Sequence, residues 1–166
     1  MAERMVILVS SDDKQFEVAR DVIKQSNTVN TLITDLGMDD ESSSVPIPLP
    51  KVSADILTLV INWCEQHKND PAFKEEDIAE KSDFKVPDAD QKMLTGLSQY
   101  TLFHVTLAAS YLDIKMLLEY CCKTISDSLK GKKAEEIRKI FNIESDFTPE
   151  EEEQIRQENT WCENKD

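Results

Sequence analysis

Glycine is scarce in this 166-residue sequence, occurring only at Gly37, Gly96 and Gly131. Both a dinucleotide-binding fingerprint and a phosphate-cradling loop need closely spaced glycines, so neither can be assembled. Gly131-Lys132 lacks the earlier glycine and the following hydroxyl residue that a phosphate loop requires. Basic residues are also in short supply: 19 Lys and Arg stand against 33 Asp and Glu, for a formal net charge of -14. A chain this acidic repels nucleic-acid phosphates and anionic lipid, so neither nucleic acid nor a membrane is expected as a partner. No run approaches the roughly 18 apolar residues of a membrane-spanning helix, and residues 1–10 are too short for a signal peptide, so the expected setting is intracellular. Histidine occurs twice, as His67 and His104, and neither lies in a nucleophile motif. The four cysteines are Cys64, Cys121, Cys122 and Cys162; Cys64 with His67 is the only C-x-x-H and has no second pair to complete a zinc set. No metal or cofactor is therefore expected. Acidic residues are plentiful, but they come in runs such as Glu150-Glu151-Glu152-Glu153, the pattern of a solvated face. Spacing alone leaves a paired-carboxylate enzyme open as an alternative.

What is present is 40% apolar residues, enough for one domain with an appendage. Short β-type runs at 5–9 and 15–19, separated by Ser10, Ser11, Asp12, Asp13 and Lys14, predict a hairpin. Val22 and Ile23 begin a short helical stretch, and Val29, Leu32, Ile33 and Leu36 recur at helical spacing before Gly37, a C-terminal cap. Residues 45–50 alternate apolar side chains with prolines, which suits an edge strand. Ser53 is expected to cap a helix running to about His67, with Ile56, Val60, Trp63 and Cys64 on its buried stripe and Trp63 in the core. The acidic stretch that follows predicts an exposed linker over 68–87, its charged composition extending to residue 90. Residues 102–112 then read as a helix apolar nearly all round, the centre of the domain, and 114–129 as a more one-sided helix ending at Gly131. Residues 1–67 and 88–130 thus form one domain interrupted by 68–87, and 131–166 form a C-terminal extension.

That extension is the unusual part. Ile137, Ile140 and Phe141 share one face of a helix over 134–141. A second helix starts at Thr148, a cap, with Pro149 at its first position and Glu151 completing a capping box. Its apolar residues are few, Ile155 and then Trp161, too narrow a stripe to hold a short helix on its own domain. Two readings fit. In one, Ile137, Ile140, Phe141, Ile143, Phe147, Ile155 and Trp161 form a satellite core with Trp161 as its plug; in the other they form a partner-binding surface.

Several segments resemble one family: Tyr111-Leu112-Asp113-Ile114-Lys115, Glu135-Glu136-Ile137-Arg138-Lys139, Phe141-Asn142-Ile143, Asp146-Phe147-Thr148, the Glu150 to Glu153 run and Glu158-Asn159-Thr160-Trp161-Cys162. Gln25-Ser26, Asp35-Leu36-Gly37-Met38-Asp39-Asp40 and Asn62-Trp63-Cys64 extend the likeness across nearly the whole chain. The sequence resembles the S-phase kinase-associated protein (Skp) family, the adaptor subunit of Skp-cullin-F-box (SCF) ubiquitin ligases. The resemblance implies an α/β fold: a BTB/POZ-type domain, a small sheet flanked by helices, with two additional C-terminal helices. It implies a non-enzymatic adaptor of the cytoplasm and nucleus whose partners are F-box proteins and a cullin. The F-box-binding region would cover about 106–165, with Ile125, Leu129, Ile137, Ile140, Phe141, Ile143, Ile155 and Trp161 as its anchors. The cullin contact would fall on Ser110 and Tyr111, where the family has Asn-Tyr.

The chain departs from the family pattern at other places. Ala89 stands where the family has Trp, Tyr100 where it has Gly, and Met116 where it has Gly. If the Ala89 site packs, the missing aromatic leaves a cavity unless a neighbour such as Met93 refills it. These departures suit a divergent paralogue. Two alternatives therefore stand beside the adaptor: a paralogue that binds F-box proteins without recruiting a cullin, and a self-associating BTB/POZ scaffold, with weak self-association among the expected interactions.

Overall fold

Strand β1 (Met5–Val9) pairs antiparallel with β2 (Gln15–Ala19), Met5 opposite Ala19 and Val9 opposite Gln15. The computed structural model of the protein describes residues 4–37, 45–74 and 84–160. The expected hairpin closes on the Ser10 side chain, whose hydroxyl donates to the Lys14 carbonyl (3.2 Å) and accepts from the Lys14 N–H (3.1 Å). Asp13 takes the left-handed conformation in this turn, at φ 59°, which aspartate tolerates better than most residues. β3 (Ile47–Pro48) pairs parallel with β1, giving the order β2-β1-β3. It is an edge strand, as the proline pattern predicts.

The chain forms two compact units, Met1–Ser128 and Leu129–Asp166. In the first, helices α1 (Arg20–Ile23) and α2 (Asn27–Asp35) follow the hairpin, and Gly37, at φ 63°, ends α2 where any side chain would be strained. Helix α3 (Ala54–Gln66) buries Ile56, Leu57, Val60, Trp63 and Cys64. Its cap differs from expectation. Ser53 occupies the N-cap position but makes no side-chain capping bond; instead Oδ1 of Asp12, from the hairpin turn, accepts from the Ala54 N–H at 2.8 Å. The cap therefore also ties the hairpin to α3. A hydrogen bond from Ser10, then that from Ala54, holds the Asp12 carboxyl below its ordinary range.

Helices α4 (Asp88–Thr95), α5 (Gln99–Tyr111) and α6 (Lys115–Leu129) complete this unit, apart from the final residue of α6. The core gathers Leu8, Ile23, Ile47, Leu57, Trp63, Leu94, Leu112 and Leu117, all fully buried. Several expectations need correction. Val86 is buried and Phe84 is half-buried against the core, so the C-terminal part of the predicted linker is part of the domain. Residues 88–90, whose charge reads as linker, open α4, and Asp90 is buried. Ala89 is exposed, so its lack of an aromatic leaves no cavity in the core. α5 is not buried all round: Val105, Ala108 and Ala109 face inward, while Leu107 stays 66% exposed and Tyr100 71%. Residues 75–83 of the predicted linker lie outside the described residues. No helix among the described residues is long and apolar enough to cross a membrane.

The end of α5 is fixed by the start of α2. Ser26 is fully buried; its hydroxyl accepts from the Val29 N–H (3.2 Å), capping α2, and donates to the Leu112 carbonyl (2.6 Å). Thr28 donates to the Tyr111 carbonyl (2.9 Å), and Asn27 Nδ2 to the Asp113 carboxylate (2.9 Å). Asp113 itself sits at φ 50°, left-handed like Asp13, and these hydrogen bonds fix the turn into α6. Ser26→Ala removes a cap and takes from the Leu112 carbonyl its shorter hydrogen bond, leaving it only the Thr28 N–H at 3.4 Å. It is expected to lower stability by about 2 kcal/mol in urea unfolding.

Candidate functional site

The second unit is built from α7 (Ala134–Phe141), at the bounds the periodicity predicts, and α8 (Pro149–Glu158), which starts where the capping signals predict. α7 begins where the Lys133 N–H donates to Glu136 Oε2 (2.8 Å). It ends at Asn142, left-handed at φ 53°, after which the Ile143 N–H reaches back to the Arg138 carbonyl (2.9 Å). α8 begins with the expected reciprocal box: Glu151 N–H to Thr148 Oγ1 (3.3 Å) and Thr148 N–H to Glu151 Oε2 (2.9 Å).

Polar contacts join the two helices. Oε1 of Glu152 accepts from Arg138 on α7 (2.9 Å) and from the Ser145 hydroxyl in the connection (2.6 Å). Arg156 reaches Glu135 (2.6 Å). The Ser145 hydrogen bond first, and the Arg138 guanidinium next, hold the Glu152 carboxyl below its ordinary range.

The apolar side chains are left half-buried or exposed. Among residues 129–160 not one is buried. Ile137, Ile140, Phe141 and Leu129 are half-buried, whereas Ile143 (55%), Phe147 (47%) and Ile155 (40%) are exposed. A satellite core therefore does not close among the described residues. Trp161, its expected plug, lies outside them. Ile125, half-buried on α6, belongs to the first unit.

The first unit carries the other expected site. Ser110 is exposed on the last turn of α5. Tyr111 beside it is half-buried, and the Lys51 ammonium lies 5.5 Å from the centre of its ring, in cation–π range. The carbonyls of Tyr111 and Leu112 are the ones held by Thr28 and Ser26. Sequence reasoning missed Lys51, because nothing in the spacing of residues 51 and 111 signals a contact. It also misassigned Leu107 to the interior, since an apolar residue in an evenly apolar helix carries no direction.

Two of the thiols are buried. Burial pushes Cys64 up to about 12 and Cys121 to about 11, so both stay protonated at neutral pH. Among the described residues no group of three or more His, Cys, Asp or Glu side chains is arranged to hold a metal ion.

Comparison with known proteins agrees with this architecture. Two family models match: the Skp1 family tetramerisation domain over residues 4–69 and the Skp1 family dimerisation domain over residues 115–162. A Skp1-related protein of Caenorhabditis elegans is 52% identical over 164 residues, covering 97% of this chain and 93% of that one. The chain belongs to the Skp1 family. The E3 ubiquitin ligase complex SCF subunit sconC of Talaromyces stipitatus is 47% identical over 161 residues, 96% of this chain and 98% of that one. The SCF ubiquitin ligase complex protein SKP1a of Dictyostelium discoideum is 47% identical over 162 residues, 97% of each chain. The resemblance and the α/β fold expected of it are thereby shown: the POZ portion is the small sheet with its flanking helices.

Glu152 is one of the two acidic residues that bridge α7 and α8. Its carboxyl is held low by Ser145 and Arg138, so its contribution is present above the ordinary carboxylate range and is lost as pH falls through the lower folded value. Glu152→Gln should raise amide hydrogen exchange in both helices at pH 7, relative to the wild-type protein.

Proposed function

We propose that this Skp1-family protein is a non-enzymatic adaptor of an SCF-type E3 ubiquitin ligase, holding an F-box protein through its C-terminal helices and a cullin through the end of α5. One observation carries the reading: residues 129–160 display Ile143, Phe147 and Ile155 to solvent and bury nothing. Apolar residues on well-capped, mutually braced helices suit docking of another chain, since the frame is ordered while its hydrophobic face is incomplete. The proposed F-box surface comprises Leu129, Ile137, Ile140, Phe141, Ile143, Ile155 and Trp161, with Ile125 on α6.

Adaptor action of this kind needs no reacting group. It brings a substrate receptor and a ligase scaffold into proximity, and the hydrogen-bonded turn after Tyr111 supplies local rigidity on the cullin side. The proposed setting is the cytoplasm and nucleus. Weak self-association, in keeping with the descriptions of the two matched family domains, belongs to the same proposal.

A second reading rests on Ser110. Serine keeps a hydroxyl but lacks the amide found at this position in the family pattern, which favours a paralogue that holds F-box proteins without recruiting a cullin. Pull-down with a cullin N-terminal fragment separates the two: capture of the cullin supports the adaptor, and capture of F-box proteins alone supports the second reading. For the F-box face, Ile155→Ala should weaken binding to an F-box peptide by about 1–2 kcal/mol, and Trp161→Ala by about 2 kcal/mol, in calorimetry. Ile155 is 40% exposed, so its truncation should leave the fold intact, and unchanged affinities in both variants would count against the proposed surface.

A further inference from the structure

His67 follows α3, and its ring faces a carboxylate at each nitrogen. Nδ1 lies 2.6 Å from Oδ2 of Asp70, in the turn after the helix, and Nε2 lies 2.9 Å from Oδ1 of Asp90 on α4. A neutral imidazole has one N–H and one lone pair. Between two ionised carboxylates it would direct that lone pair at an oxygen within hydrogen-bond distance, a repulsive contact. A proton on each nitrogen turns both contacts into charge-assisted hydrogen bonds.

The surroundings point the same way. Asp90 is only 2% exposed, and a buried carboxylate is tolerated when hydrogen-bonded and matched by opposite charge. The Trp63 indole N–H supplies one hydrogen bond (2.9 Å), and His67 supplies the second and the charge. The imidazole also stacks on the Trp63 ring, centroids 4.1 Å apart, a placement that favours a cation over an aromatic face. The groups facing it are Asp70 after α3, Asp90 on α4 and the Tyr120 ring of α6, 6.5 Å away and edge-on. The Gln25 amide, from between α1 and α2, donates to the His67 carbonyl. Burial raises the Tyr120 phenol, with smaller contributions from Asp90 and Asp70, so it stays neutral beside the imidazole.

We propose that His67 is doubly protonated in the folded protein and forms a cationic clasp joining the end of α3 to α4, and that loss of its proton loosens this joint as the solution turns alkaline. Desolvation opposes the charge on His67, but the hydrogen bonds and charges of Asp70 and Asp90 outweigh it, and the net shift is upward. A group raised in the folded state stabilises fully below its unfolded value, about 6.5, and the contribution is lost as pH rises through the folded value. Asp70 and Asp90 flank the acidic stretch of the chain, so the clasp adds a second polar tie between its two ends beside the Trp63–Asp90 hydrogen bond.

The chain has only two histidines, which makes the test direct. Long-range proton–nitrogen spectra of the full-length 15N-labelled protein are recorded across pH, with His104→Gln assigning the two rings. The expected result is that both nitrogens of His67 carry protons at pH 7, with a titration midpoint above that of histidine in the urea-unfolded chain. Asp70→Asn, at an exposed position that should not unfold the protein, should move the midpoint down. Urea unfolding at pH 6 and pH 9 should show a loss of stability with rising pH that is smaller in His67→Gln. A singly protonated His67 at pH 7, or a midpoint at or below the unfolded value, would overturn the proposal, as would a midpoint that ignores Asp70→Asn.

Discussion

Burying Trp63 sets off a sequence of obligations that organises the first unit. The indole is fully buried, and its N–H cannot be left without an acceptor. Asp90 provides that acceptor from α4, and in doing so a carboxylate enters the interior. That carboxylate needs a further donor, which His67 contributes from the end of α3. The Trp63 ring also meets Tyr120 of α6 edge-on at 6.2 Å, and Phe84 stacks on Tyr120 at 5.7 Å. A single large side chain thus draws α3, α4, α6 and the segment before α4 into one arrangement. The polar members of the group are as necessary as the apolar ones, because each satisfies a partner whose burial would otherwise be unfavourable.

The second unit obeys the opposite logic. Its helices are defined by caps and ion pairs at the surface, and none of its described residues is buried. Exposed ion pairs contribute little stability each, so α7 and α8 are braced rather than packed. A core must exclude water from both sides of its apolar layer, and residues 129–160 offer only one side. The contrast between a closed core and an open apolar face separates the scaffold from the surface proposed to bind another chain.

Local patterns proved legible where the cause is local. The hairpin, the edge strand with its prolines, the ends of α7 and the capping box at Thr148 all depend on residues within a few positions of each other, and these were readable in the sequence. The cap of α3 was not, because Asp12 lies 42 positions before Ala54 and its geometry is created by the hairpin turn. The Trp63–Asp90–His67 group escaped for the same reason: Asp90 sits in an acidic stretch whose composition suggests solvent, and only a distant indole explains its burial. Leu107 shows a different limit, since a helix apolar on every side does not say which side faces in. The candidate binding residues on α7 were readable because a one-sided stripe on a short helix fixes its own direction.

The places where the chain departs from its family bear on function through their exposure. Ala89 is exposed, Tyr100 is 71% exposed with its ring 4.0 Å from that of His104, and Ser110 is exposed at the end of α5. Met116 is half-buried. Substitution at a solvated position disturbs little packing, so the first three changes leave the closed core as it is. Buried groups that satisfy one another behave differently: Ser26 caps α2 and holds the Leu112 carbonyl, and Trp63 and Asp90 complete each other's hydrogen bonding. A change at any of these propagates through two or three elements. A change at an exposed position such as Ser110 therefore alters the surface and not the core, while the hydrogen bonds to the Tyr111 and Leu112 carbonyls hold the backbone beside it in place.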